Sequence, residues 1–129
     1  MAEHGGLLDV GPHVIDLLDA AVGPVTSVGW AHRSDPDLWR FGLVHSGGAQ
    51  SSVTLSMRLP VDPSEVEFTV YGSAGRHRLV GRAADAVACY THLLDELLAA
   101  LDGSGPPPAL DAARGLRLQE IIEQVRAAA

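Results

Sequence analysis

The stretch from His4 to Gly23 contains the side chains with the clearest chemical potential in this sequence. Asp9, His13 and Asp16 follow one another at spacings of four and three residues, which would place two carboxylates and an imidazole on one side of a helix. A neighbouring carboxylate orients the ring and favours the imidazolium, so the histidine can both take and give a proton. The spacing therefore indicates a general acid/base pair carried by one helix.

Two other interpretations fit the same three residues. An isolated Asp-x-x-x-His spacing is commonly a solvated helix face or a charge pair at the start of a helix. Two carboxylates and a histidine can also form a facial triad around a metal ion. Ligand spacing of this kind recurs by chance, so we expect no metal here, but the spacing alone leaves all three interpretations open.

The same helix is expected to bury its opposite side. Gly5-Gly6 allows a close approach of the backbone just before it, Pro12 is tolerated near its first turn, and Gly23-Pro24 ends it. Apolar residues recur at helical spacing on the side away from the acid/base pair: Ile15, Leu17, Leu18, Ala21 and Val22. One helix would thus carry the acid/base side chains on one side and buried apolar side chains on the other.

Alternating apolar and polar residues predict about five strands after this helix. They cover Val25–Arg33, Trp39–Ser46, Ala49–Leu59, Glu65–Ser73 and His77–Val80. Turn residues from Ser34 to Asp37 and at Gly47-Gly48 separate the first three. One side of the second and third strands is expected to be apolar, apart from one histidine: Trp39, Phe41, Leu43, His45, Val53, Leu55, Met57 and Leu59. The sheet should therefore have one apolar and one polar face.

Two further helices are expected to pack near the apolar face. The first, Ala84–Leu101, carries a stripe at helical spacing that should lie on the sheet: Val87, Thr91, Leu94, Leu98 and Leu101. A Gly- and Pro-rich linker leads to a last helix from about Asp111, whose buried residues should be Leu118, Ile121, Ile122 and Val125. The whole chain is predicted to be a single α+β domain, residues 1–129, with an open, mostly antiparallel sheet and helices on one face.

Composition narrows the function classes. A formal net charge of −7 and a pI near 5.1 argue against binding to nucleic acid or an anionic membrane. All nine basic residues are Arg, and Lys and Asn are absent, which is typical of a GC-rich bacterial genome. Cys89 is the single cysteine and is expected to be a small core residue. With no signal-peptide pattern and no long apolar run, we expect a cytoplasmic protein.

Three other groups of residues have both a functional and a packing interpretation. Basic residues near the fifth strand could meet an anionic substrate, although solvated hairpin charge is the favoured interpretation: Arg76, His77, Arg78 and Arg82. Aromatic residues could stack on a sugar, although packing within the sheet is more common: Trp30, Trp39 and Tyr71. His32 and His45 could be cross-strand neighbours, and we assign them no role.

The segment GGLLDVGPHVIDLL resembles the signature that opens the second domain of the glucose–fructose oxidoreductase, inositol dehydrogenase and rhizopine catabolism family (Gfo/Idh/MocA). YGSAGRHRL looks like that family's glycine-containing strand and turn, and LRLQEIIEQVRAA resembles its closing helix. The resemblance extends over nearly all 129 residues. It implies the substrate-binding and oligomerisation domain of an NAD- or NADP-dependent oxidoreductase acting on a sugar, polyol or similar hydroxy compound.

By the same resemblance, His13 corresponds to the acid/base histidine, Asp9 to its substrate-contacting partner, and Asp16 to a second, more structural aspartate. Members of the family begin with a dinucleotide-binding Rossmann domain that also supplies a catalytic Lys. This chain has no Lys and no Gly-x-Gly-x-x-Gly between a strand and a helix, so alone it should be inactive and bind no cofactor. We expect the missing Rossmann domain as a partner, and a homo-oligomer through the polar sheet face. The alternative is a stand-alone binding or oligomerisation module without chemistry.

Overall fold

A computed structural model describes residues 5–81, 85–109 and 111–129 of the chain. These residues divide between two compact units. The core unit comprises Met1–Leu59 and Leu110–Ala129, and the hairpin unit comprises Pro60–Ala109. The organisation of residues 1–129 as one domain stays a prediction. The elements, in chain order, are α1 Gly6–Asp9, α2 Gly11–Val22, β1 Val25–Ser34, β2 Leu38–His45, β3 Gln50–Leu55, β4 Glu67–Gly72, β5 Gly75–Val80, α3 Ala86–Leu101 and α4 Ala112–Ala128.

The described strands confirm the predicted α+β class and the number of strands, but they form two sheets. In the core unit, β1, β2 and β3 make an antiparallel sheet in that order, and in the hairpin unit β4 pairs with β5. Phe41 in the middle strand lies opposite Ala31 on one side and Val53 on the other. The hairpin between β2 and β3 turns at Gly47 and Gly48, whose φ angles of 85° and 86° require glycine.

The predicted apolar face of the core sheet is confirmed for most of its residues. The following side chains are all buried: Trp39, Phe41, Leu43, His45, Val53 and Leu55. Met57 and Leu59 were expected to continue this row, but β3 ends at Leu55 and both are exposed. The chain leaves the sheet at this point because the Met57 amide donates a hydrogen bond to the Asp37 carboxylate instead of to a strand.

Helices α2 and α4 supply the other half of this core. Ile121, Ile122 and Val125 of α4 are fully buried, as predicted, and α4 contacts β1. Ile15 and Leu18 of α2 are also buried. The predicted apolar face of α2 was too wide, because Leu17 and Ala21 are exposed and Val22 is half-buried. Leu118 of α4 is half-buried as well.

The hairpin unit differs more from the prediction. Its two strands meet at Gly72 and Gly75, and Gly75 has a φ of 112°. Helix α3 begins with the Asp85 side chain accepting a hydrogen bond from the Val87 amide. None of its residues is buried, so the expected burial of its apolar stripe is wrong. Cys89 is exposed rather than part of a core. Ala84 lies outside the described residues.

Candidate active site

The acid/base candidates lie at a break between two helical segments. Asp9 is the last residue of α1 and His13 the third of α2, and both are exposed. The Val10 amide bonds Gly6 O at 2.8 Å and the Val14 amide bonds Val10 O at 3.1 Å. The sequence predicted one regular helix here. It is interrupted because Pro12 has no N–H to donate to the preceding turn, although Pro12 does occupy the expected position at the start of α2.

Among the described residues, neither Asp9 nor His13 has a side-chain hydrogen bond or ion pair. Their carboxylate and imidazole are therefore open to solvent and to a bound molecule. Such an arrangement leaves the imidazole available to exchange a proton with a substrate hydroxyl. The structure does not join the two side chains to each other, and their catalytic and substrate-binding roles stay predictions.

The start of α1 is fixed by a buried carboxylate from the turn between β1 and β2. Asp37 is only 4% exposed, and its Oδ2 accepts a hydrogen bond from the Gly6 amide at 2.8 Å and one from the Met57 amide at 3.3 Å. A Cβ at Gly5 would lie 2.7 Å from Asp37 Oδ1, and one at Gly6 would lie 3.1 Å from Oδ2. The predicted need for close backbone approach at Gly5-Gly6 is thereby explained.

Asp16 is held by an arginine from the opposite end of the chain. Arg114 of α4 donates to Asp16 Oδ1 through Nε at 2.8 Å and through Nη2, and its Nη1 lies 3.4 Å from Asp19 Oδ2. Asp19, 8% exposed, also accepts the Val25 amide at 2.8 Å. Asp16 thus ties α2 to α4, and its proposed contact with substrate stays a prediction.

His45 is a buried histidine that stabilises the junction between α2 and β1. It is 2% exposed, with Nδ1 2.5 Å from Gly23 O and Nε2 2.9 Å from Ser51 Oγ. His32 pairs with Arg40 in the sheet, whereas His45 lies opposite Val25. The two histidines are therefore not cross-strand neighbours, and the contacts of His45 are those of a packing residue.

A cleft of about 100 Å³ opens beside the start of α1. It brings together charged and aromatic side chains that are far apart in the sequence: Arg33, Asp37, Trp39, Arg58 and Arg126. The Arg33 guanidinium lies over the Trp39 ring, 5.4 Å from its centroid, a cation–π arrangement. Sequence patterns did not indicate this grouping.

The aromatic residues considered for sugar stacking are not brought together. Trp39 belongs to the buried face of the core sheet, whereas Trp30 pairs with Gly42, where a Cβ would lie 2.2 Å from the Trp30 Nε1. Trp30 therefore covers a glycine in the neighbouring strand. Tyr71 lies in the hairpin unit and is 76% exposed.

The described part of the basic cluster has an internal partner. Arg78 donates to both carboxylate oxygens of Glu67, at 3.0 and 2.8 Å. The hydrogen bonds from Arg78, and then that from Thr69, lower the pKa of Glu67, while Glu67 raises the pKa of Arg78. Arg76 and His77 are exposed, and Arg82 lies outside the described residues. The geometry at Arg78 agrees with solvated hairpin charge.

In the same unit, Asp102 caps the turn after α3. Its side chain accepts hydrogen bonds from Ser104, which lower the pKa of the Asp102 carboxyl. Neither this shift nor the Glu67–Arg78 pair involves the acid/base candidates. These perturbed groups therefore add no chemistry to the site on α1 and α2.

The donor side chains of the described residues decide whether the molecule can hold a metal ion. Across residues 5–81, 85–109 and 111–129, no group of three or more His, Cys, Asp or Glu side chains is placed to hold a metal ion. All described strand pairs are antiparallel, unlike the mostly parallel sheet of a dinucleotide-binding Rossmann fold. No described helix is long and apolar enough to cross a bilayer.

The fold just described is similar to part of a solved dehydrogenase structure. The chain is similar to the WlbA dehydrogenase from Bordetella pertussis, whose structure was determined in complex with NADH and UDP-GlcNAcA. The TM-score is 0.75 at 24% sequence identity. The match covers 96% of this chain but 44% of that structure, so this chain spans less than half of the neighbour's length. No protein-family model and no curated protein matches the chain.

Proposed function

We propose that this chain is the substrate-binding and oligomerisation domain of an NAD- or NADP-dependent oxidoreductase of the Gfo/Idh/MocA type. Its substrate would be a sugar, a polyol or a similar hydroxy compound. The observation that carries the proposal is the exposure of Asp9, at the end of α1, and of His13, in the first turn of α2, within a fold similar to part of a dehydrogenase. The same proposal places the protein in the cytoplasm.

In this proposal His13 takes the proton from the hydroxyl group that is oxidised, and Asp9 binds the substrate beside it. Asp16, held by Arg114, positions the helix and lies near the substrate. The dinucleotide, which supplies the hydride acceptor, would be bound by a Rossmann domain outside this chain, as would the catalytic lysine. The chain on its own is therefore inactive.

The test is a protein in which this chain is joined to the dinucleotide-binding domain of its parent enzyme. His13→Ala should lower kcat by roughly 10²- to 10⁴-fold in NAD(P)+ reduction with sugar and polyol substrates, the usual contribution of a general acid/base. His32→Ala is the matched control, since His32 is an exposed strand residue outside the site. Full activity of the His13 variant would refute the assignment of His13.

A second candidate function is a stand-alone module that binds partners without chemistry. The observation favouring it is the exposure of apolar residues along α3, including Tyr90 at 69% and Leu98 at 60%, because exposed apolar patches commonly mark interaction surfaces. An immunoblot of source-cell lysate separates the two. A native protein larger by roughly 100–150 residues supports the dehydrogenase, and a 13.5 kDa protein supports the module.

A further inference from the structure

We propose that the cleft beside α1 binds the oxyanion of a ligand, either a phosphate or a carboxylate group. Three of the nine arginines in the chain line it, Arg33, Arg58 and Arg126. Guanidinium groups match the geometry of both kinds of oxyanion through paired N–H donors. This proposal goes beyond the function proposed above and does not depend on it.

The charge of the cleft contrasts with that of the protein. The chain as a whole has a formal charge of −7, yet the described residues that line the cleft include three arginines and one carboxylate. That carboxylate, Asp37, is buried and already accepts two backbone amides. Of these arginines, Arg33 is the one that the described residues leave without a carboxylate partner, and its charge attracts small anions locally while the acidic surface elsewhere repels large polyanions.

Arg33 is the residue best prepared to bind an anion. Its guanidinium is held over the Trp39 ring at 5.4 Å, and among the described residues it forms no hydrogen bond or ion pair with an acceptor. Stacking on a ring leaves the N–H groups at the edge of the guanidinium plane free to donate. Arg126 is less committed to binding, because it also donates to Glu123 at 3.1 Å.

The dimensions of the cleft restrict the ligand. A volume of about 100 Å³ is well below the roughly 300–1,000 Å³ that encloses a drug-sized molecule. It admits one phosphate or carboxylate group, with the rest of the ligand extending into solvent. The ligand class is therefore a small molecule with a terminal oxyanion, such as a sugar phosphate or a sugar acid.

The experiment titrates the whole 129-residue chain with inorganic phosphate, pyrophosphate and glucuronate at constant ionic strength. Amide and indole resonances are followed by NMR. The two tryptophans provide an internal control, because Trp39 lines the cleft and Trp30 does not. We expect saturable shifts of the Trp39 indole resonance with little change at Trp30. Phosphate or pyrophosphate as the tighter probe identifies a phosphate site, and glucuronate a carboxylate site.

Variants then test the arginines. Arg33→Ala should weaken binding of the tighter probe about tenfold, as expected for loss of charge-assisted hydrogen bonds. Arg40→Ala removes the same charge from an exposed position in β2 that does not line the cleft and should change binding less than about twofold, since an exposed charge that forms no hydrogen bond to the anion is weakened by salt screening. Equal weakening by both substitutions would overturn the proposal. So would the absence of saturable binding by all three probes.

Discussion

The buried carboxylate of Asp37 should make a large contribution to the stability of the core unit. Its Oδ2 accepts the Gly6 amide at 2.8 Å and the Met57 amide at 3.3 Å. A hydrogen bond to a charged group contributes roughly 1.5–3 kcal/mol, and a longer one is closer to about 1 kcal/mol. Asp37→Ala should therefore lower the free energy of unfolding by about 3 kcal/mol.

Urea denaturation followed by circular dichroism measures this change, provided that the unfolding is two-state with an unchanged m-value. Asp37→Asn retains the shape and one neutral acceptor oxygen, so it should lose about half as much. Asp35→Ala, an exposed position in the same turn, is the matched control and should stay within about 0.5 kcal/mol.

Hydrogen exchange provides a second, local measurement. The Gly6 amide should exchange much faster in the Asp37→Ala protein, because its acceptor is gone. The reasoning about Asp37 is refuted if the free energy of unfolding of Asp37→Ala lies within about 0.5 kcal/mol of that of the unsubstituted protein and the Gly6 amide stays protected from exchange.

Three further predictions concern other contacts. Arg114→Ala should lower the free energy of unfolding, measured by urea denaturation, by about 2 kcal/mol, because it leaves the buried Asp19 carboxylate without its cation. This value lies between those for exposed and for buried ion pairs. His45→Ala should cost about 3 kcal/mol by the same measurement, since it leaves a cavity and removes two hydrogen bonds. Glu67 should titrate below the usual pKa of a glutamate by NMR, and Arg78→Ala should raise it again. Because the folded pKa is lowered, the stabilisation from Glu67 is present above the unfolded pKa and is lost as the pH falls through the folded one.

Each of these has a control and an opposing outcome. The control for Arg114→Ala is Arg126→Ala, which removes an exposed α4 arginine paired at i,i+3 with Glu123 and should lower the free energy of unfolding by less than about 0.5 kcal/mol. An equal loss of stability in the two variants would contradict the prediction for Arg114. The control for His45→Ala is His32→Ala, at an exposed position. The prediction for His45 is wrong if both histidine variants are equally stable. Arg76→Ala should raise the pKa of Glu67 less than Arg78→Ala does. A larger rise in the Arg76 variant would contradict the prediction for Glu67.

Local sequence patterns predicted the strands of the core unit well because they depend on alternation between buried and exposed faces. Trp39, Phe41 and Leu43 are buried as that alternation required. The patterns failed where long-range contacts decide the outcome. An aspartate in a turn, such as Asp37, is usually solvated, and nothing nearby in the sequence shows that two distant amides bury it.

The same limit explains what was missed around the candidate site. The pairing of Asp16 with Arg114 joins residues 98 positions apart, and the three arginines of the cleft come from β1, the segment after β3 and the last helix. The sequence correctly placed Pro12 in the first turn of a helix that starts near Gly11. What it did not predict is that Asp9 belongs to a separate short segment, α1. The exposure of α3 shows that an apolar stripe indicates a helix face that could be buried, but it does not identify the surface that would cover this face.

The candidate residues lie between two fixed points. Asp37 holds the start of α1 from 31 positions away, and Arg114 holds Asp16 further along α2. Asp9 and His13 lie between these anchors, where the helix is interrupted and the side chains are exposed. Because neither candidate has a side-chain partner in the part of the chain that the structure describes, the backbone around them must supply their orientation. The buried aspartate and the arginine of the last helix therefore position the acid/base candidates while contacting neither of them, which is the division of labour expected between a reacting group and its support.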